Sequence, residues 1–132
     1  MKAKDNPTTI RFMMQYYCPS LTQISRLKTR EVTIGQLKIG NGHPIRVQTM
    51  TTTDTIDTIA TVEQSIRCIE AGAEFVRITA PSKKEAENLN AIKEGLIERG
   101  YKTPLVADIH FKPDAALEAA KWVEKVRVNP GN

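Results

Sequence analysis

Three separated stretches of this sequence close on the same four-residue phrase, and that repeat constrains the fold more than any other feature. They read Val76-Arg77-Ile78-Thr79, Ala107-Asp108-Ile109-His110 and Val126-Arg127-Val128-Asn129: apolar, charged, branched apolar, polar. In a strand the second and fourth residues share one face, and the first and third share the other. Arg77/Thr79, Asp108/His110 and Arg127/Asn129 are therefore expected to project as polar pairs from strand C-terminal ends. Their apolar partners are expected to pack against helices. Val47-Gln48-Thr49-Met50 follows the phrase loosely, with Gln48 in the charged slot.

Between these strands the periodicity turns helical. Residues 58–71 carry Ile59, Val62, Ile66 and Ile69 at near-helical spacing and stop at Gly72. Pro81-Ser82 opens a second helix with an apolar face of Ala86, Leu89, Ile92 and Leu96, ending near Gly100. Pro113-Asp114 opens a third, rich in alanine and carrying Trp122. Upstream, Val32-Thr33-Ile34 and Leu37-Lys38-Ile39, set among Gly35, Gly40 and Gly42, predict a β-hairpin that feeds a strand from Ile45 to Thr49. His43 is assigned to the surface of the hairpin turn, and Asp54 or Thr58 to the cap of the first helix. Strands alternating with helices imply a parallel sheet.

Polar residues at successive C-terminal strand ends are what a TIM-type barrel needs, because that rim holds its active site. A doubly wound sheet gathers ligands at one switch point instead. The sequence therefore points to an α/β fold: the N-terminal part of a TIM-type (βα)8 barrel, preceded by a β-hairpin. Taken singly, Arg77, Asp108 and Arg127 each have a structural use as ion-pair partners. As a set they are costly to bury without a ligand. Two guanidiniums suit bidentate recognition of phosphate oxygens. A nearby carboxylate and imidazole suit hydroxyl binding or proton transfer.

Composition bounds the rest. An apolar fraction of 40% and a charged fraction of 26% fit a globular protein, and no run approaches the roughly 18 apolar residues of a membrane helix. The start, Met1-Lys2-Ala3-Lys4, lacks the apolar segment of a signal peptide, so a cytoplasmic location is expected. The net charge of +4 divides unevenly. Residues 1–30 hold six basic residues and one acid (+5), and residues 31–132 hold thirteen basic and fourteen acidic (−1). We assign 1–30 as a basic leader, partly ordered through Met13, Met14, Tyr16 and Tyr17, and 31–132 as barrel. Two cysteines, Cys18 and Cys68, are too few for a disulfide framework or for a four-iron cluster. Cys68 lies in an apolar helical pattern and is expected in the core.

Five phrases follow one another in order: Pro44-Ile45-Arg46-Val47-Gln48-Thr49-Met50-Thr51, Thr53-Asp54-Thr55, Ala71-Gly72-Ala73-Glu74-Phe75-Val76-Arg77, Pro104-Leu105-Val106-Ala107-Asp108-Ile109-His110-Phe111 and Lys125-Val126-Arg127-Val128-Asn129-Pro130-Gly131-Asn132. In order and spacing they resemble the 4-hydroxy-3-methylbut-2-enyl diphosphate synthases of isoprenoid biosynthesis, over roughly Arg30 to Asn132. The resemblance implies a TIM-type barrel followed by a domain carrying a [4Fe-4S] cluster. It implies reductive ring opening of 2-C-methyl-D-erythritol 2,4-cyclodiphosphate with two electrons from ferredoxin or flavodoxin. Carried over by motif, Arg77, Arg127 and Asn129 are substrate-binding. Asp108 and His110 become catalytic rim groups with a proton-delivery role.

The cluster ligands of that family, three cysteines and a glutamate, lie outside this chain, and neither Cys18 nor Cys68 matches one. The chain is therefore expected to be a fragment holding the first half of the barrel, inactive alone and prone to homodimerise through open sheet edges. The length of the leader suggests the larger variety of the family, with an inserted middle domain. No nucleic-acid or membrane partner is expected. Two alternatives stand beside this reading. One is another phosphate-binding barrel, such as a dihydropteroate synthase-like pterin binder. The other is a non-enzymatic interaction module using the basic leader.

Overall fold

The structure, a computed structural model, describes residues 20–23 and 27–130. Cys18 and the Met13–Tyr17 cluster lie outside them, as does most of the proposed leader. Strand β1 (Val32–Ile34) pairs antiparallel with β2 (Leu37–Ile39) across a turn at Gly35 and Gln36. The turn needs glycine. Gly35 has a φ of +59°, and a Cβ there would come 2.9 Å from the Pro104 ring. The same close approach docks the hairpin turn on the start of a sheet strand.

That sheet has four parallel strands in the order of the chain: β3 (Gln48–Met50), β4 (Phe75–Ala80), β5 (Leu105–Ile109) and β6 (Lys125–Arg127). Helices α1 (Thr58–Glu70), α2 (Lys83–Glu98) and α3 (Pro113–Ala119) make the three crossovers. Alternation divides each strand between two environments. Val76, Ile78, Ala80, Leu105, Ala107 and Ile109 pack with Val62 of α1, the Ala86/Leu89/Ile92/Leu96 face of α2, and Ala115 and Ala119 of α3. Burial of each large side chain in that layer contributes about 1.5–3 kcal/mol. Gly95 lets the first two helices close up, since a Cβ there would sit 3.2 Å from Val62 Cγ2.

The opposite face holds Phe75 and Val106, which pack with Ile34 and with Leu37 and Ile39 of the hairpin. The hairpin thus covers the N-terminal end of the face that carries Arg77, Asp108 and Arg127 farther along. Its outer side is tied by Glu31, which meets Lys38 Nζ at 2.8 Å and His43 Nε2 at 2.7 Å. Hydrogen bonds from Lys38 first, then His43 and Asn41, hold the Glu31 carboxyl down at about 2.

Several expectations shift in detail. The strand expected from Ile45 begins only at Gln48, and Ile45 is 94% exposed. The cause is Glu74, whose carboxylate accepts the Val47 amide at 2.8 Å and the Arg46 guanidinium at 2.8 Å, taking the donor that strand pairing would use. Ile59 is exposed rather than part of the apolar stripe, because no described element covers the outer side of the first turn of α1. The cap of α1 is neither Asp54 nor Thr58 but Asp57, whose Oδ1 accepts from Ala60 N at 3.0 Å. Asp54 instead closes a turn on Ile56 N. His43 lies beyond β2 and is half-buried against Glu31. Cys68 is half-buried at the core margin, where its sulfur accepts from Thr49 Oγ1 at 3.7 Å.

Candidate functional site

Asp108 is the centre of the site. It stands near the end of β5 with 1% of its surface exposed. Parallel register puts Thr79 of β4 on one side of it and Arg127 of β6 on the other. Arg77 lies one inward-facing step below Thr79. From those neighbouring strands two guanidiniums converge on the one carboxylate. Arg77 Nη2 bonds Oδ2, and Arg127 Nη1 bonds Oδ1 at 3.0 Å. Burial alone would raise the carboxyl pKa. The two arginines outweigh it, and Asp108 titrates below the ordinary carboxylate range.

Two guanidiniums against one carboxylate leave the cluster with one net positive charge. It is not sealed: the Arg77 side chain is 27% exposed and that of Arg127 is 42% exposed. The Arg77 Nε–H is buried with no hydrogen-bond partner. An unpaired buried donor costs about 1–3 kcal/mol, which an acceptor brought to the cluster would recover. His110 follows Asp108 by two residues, and its Nε2 lies 3.5 Å from Asp108 Oδ2. Past it Phe111 turns the chain with a φ of 64°, its ring centroid 6.0 Å from that of His110.

Of the residues singled out in the sequence, Arg77, Asp108, Arg127 and His110 are thus gathered at one end of three consecutive strands. Asn129 lies two residues beyond Arg127, past the end of β6, and is exposed. What the sequence did not disclose is the framework beside the cluster. Thr51 N donates to Arg77 O at 2.9 Å, and Thr55 Oγ1 donates to Thr79 O at 2.6 Å. Gln64 and Asn88, which no motif marks, hold that threonine segment from behind.

Residues 29–132 match the family model described as the GcpE TIM-barrel domain. The chain belongs to this family. Its four parallel strands and covering helices are accordingly the N-terminal part of a TIM barrel. Similar full-length proteins carry one enzyme name. The 4-hydroxy-3-methylbut-2-en-1-yl diphosphate synthase (flavodoxin) of Akkermansia muciniphila is 53% identical over 120 residues, 91% of this chain and 20% of that protein. The chloroplastic 4-hydroxy-3-methylbut-2-en-1-yl diphosphate synthase (ferredoxin) of Oryza sativa subsp. japonica is 51% identical over 118 residues, 89% of this chain and 16% of that protein. Phocaeicola vulgatus has a flavodoxin-named relative, 54% identical over 112 residues, 85% of this chain and 18% of that protein. The chain spans a fifth or less of the length of these relatives.

Proposed function

We propose that this chain is the phosphate-holding segment of a 4-hydroxy-3-methylbut-2-enyl diphosphate synthase. In the intact protein it would bind the diphosphate of 2-C-methyl-D-erythritol 2,4-cyclodiphosphate during a two-electron reductive ring opening. The electrons would come from ferredoxin or flavodoxin, the donors in the relatives' names. The observation that carries the reading is the cationic cluster: two arginines from β4 and β6 fixed on one buried carboxylate, with a buried Arg77 donor left over. Guanidinium forks match phosphate oxygens, and an anion placed there balances the excess charge.

Within this reading Asp108 orients rather than reacts. Both its oxygens are engaged, and its depressed pKa leaves no proton to deliver near neutrality. His110, half-exposed beside it, is the group left to move a proton at the rim. Asn129 is assigned to the substrate by motif alone.

A [4Fe-4S] cluster would supply the electrons' path onto the substrate. The residues of this chain do not fit its ligation. The sequence has two cysteines, and no three His, Cys, Asp or Glu side chains are grouped for a metal among the described residues. The segment would bind and orient, and alone it would not turn over.

The test uses the full-length enzyme. Arg77→Ala and Arg127→Ala are each expected to raise the substrate KM about tenfold or more, the loss of one charged hydrogen bond of about 1.5–3 kcal/mol. The visible absorption of the iron–sulfur centre should not change. Parental substrate affinity in both variants would remove the phosphate assignment.

A further inference from the structure

We propose that segment 51–57, which follows β3 at the same sheet end, is a second, pre-formed wall of the ligand site. Asn88 and Gln64 are the positioning residues that hold it beside Arg77. The inference rests on the phosphate-site reading above and extends it to the hydroxylated part of the same substrate.

Strand β4 outruns β3. Their pairing stops at Met50↔Arg77, while β4 continues to Ala80. The carbonyls of Arg77 and Thr79 would then lack partners on that edge. Segment 51–57 supplies them, through Thr51 N to Arg77 O and Thr55 Oγ1 to Thr79 O. It thereby continues the ladder with one backbone donor and one hydroxyl. These are the backbone groups of two inward-facing residues of β4, so the segment's height is locked to Arg77.

The segment is itself held from the helix side. Gln64 Oε1 of α1 accepts from Thr52 N at 2.9 Å and Thr53 N at 3.1 Å, and its Nε2 donates to Thr52 Oγ1. Asn88 of α2 donates to Thr55 O at 2.7 Å and to Thr58 Oγ1 at 2.9 Å. Thr61 Oγ1 donates to Asp54 O at 3.0 Å. Starting α1 needs only a cap, and Asp57 provides it. The two amides go further. They satisfy main-chain groups 12 and 33 residues away and fix the segment before any ligand arrives. That is the support a binding loop needs to lose little entropy on contact. Thr52 and Asp54 are exposed: the Thr52 hydroxyl accepts from Gln64 and keeps its own proton to donate, and Asp54 holds Ile56 N through Oδ1 and keeps Oδ2 for a substrate hydroxyl.

The experiment uses the full-length enzyme and three variants. Asn88→Ala removes both Asn88 donors. Gln64→Ala removes the acceptor for two amides, and Gln64→Glu keeps that acceptor. In Asn88→Ala and Gln64→Ala, amide exchange over residues 52–56 should accelerate at least tenfold. The KM for the cyclic diphosphate should rise five- to twentyfold with kcat within twofold. Gln64→Glu should stay within twofold of the parent in KM. Faster exchange with unchanged KM would overturn the proposal, because the segment would then be loosened without consequence for binding. Unchanged exchange in both alanine variants would overturn it too, since the amides would not be holding the segment. If Asn88→Ala does not fold, the Gln64 pair decides alone. Arg77→Ala run alongside separates the two readings. A raised KM there with parental KM in the tether variants ends only the second wall, and a parental KM in Arg77→Ala ends the phosphate site first.

Discussion

A carboxylate as buried as Asp108 is stable only because two guanidiniums reach it, and each guanidinium is placed only because the carboxylate is there. Removing one member of a buried ionic group leaves the rest uncompensated, at a cost of about 3–5 kcal/mol. Asp108→Asn keeps the shape and discards the charge, so it should lower unfolding free energy by about 3 kcal/mol at neutral pH. The pH dependence has a fixed sign. A carboxyl lowered in the folded state adds stability above its ordinary value of about 3.9 and loses it as pH falls through the lower folded value. The gap between parent and Asp108→Asn in urea unfolding should therefore be widest near pH 7 and narrow below about pH 4. A gap that is constant with pH would mean that charge is not the basis of the effect. The cluster itself was legible in the sequence, since a period of two places charged residues of neighbouring strands on one face. Gln64 and Asn88 were not. Each is an ordinary amide on an amphipathic helix, and nothing local marks the loop carbonyl or amide that it meets across the fold.

Among the elements, the helices were the most readable. The α2 face of Ala86, Leu89, Ile92 and Leu96 is buried as its spacing required, and Gly72 and Gly100 follow the ends of α1 and α2. Strand β3 was misplaced because an apolar run says nothing of a carboxylate elsewhere in the chain, and Glu74 captures the Val47 amide. The hairpin was found, but not its berth under Phe75 and Val106, which depends on long-range packing. Its outer edge is tied by Glu31 and by Arg46 Nε, which donates to Lys38 O at 3.1 Å. Glu31, drawn down to about 2 chiefly by Lys38 and then His43, supports the hairpin above pH 4.5 and loses that support as pH falls towards 2. Acidification across that interval should therefore release β1 and β2 before the four-stranded sheet. Amide exchange measured stepwise from pH 5 to 2 and corrected for intrinsic rate checks this. Equal protection of hairpin and sheet throughout would show that the carboxylate does not anchor the element.

At the scale of the whole molecule, the four-stranded parallel sheet ends among the described residues in a strand with one unpaired edge on either flank. Among the described residues β3 and β6 each pair on one side only, and Ile45 and Val47 before β3 and Val128 after β6 stand exposed. Open edges recruit strands. The 132-residue chain by itself should therefore self-associate at micromolar concentration, which light scattering during gel filtration would detect. A stable monomer at about 100 micromolar, well inside the micromolar-to-millimolar range where exposed edges aggregate, would show that the flanks are covered. The three clamp residues come from three consecutive strands, with Asp108 separated from Arg77 by 31 positions and from Arg127 by 19. Each contact spans one helical crossover, so it forms only when the parallel strands on either side of that helix have paired. The carboxylate and both guanidiniums that converge on it are therefore carried by one β4-α2-β5-α3-β6 unit. The site's excess positive charge is thus the property of a single stretch of chain from Arg77 to Arg127, and a change anywhere else in the described residues alters the clamp only by moving that unit.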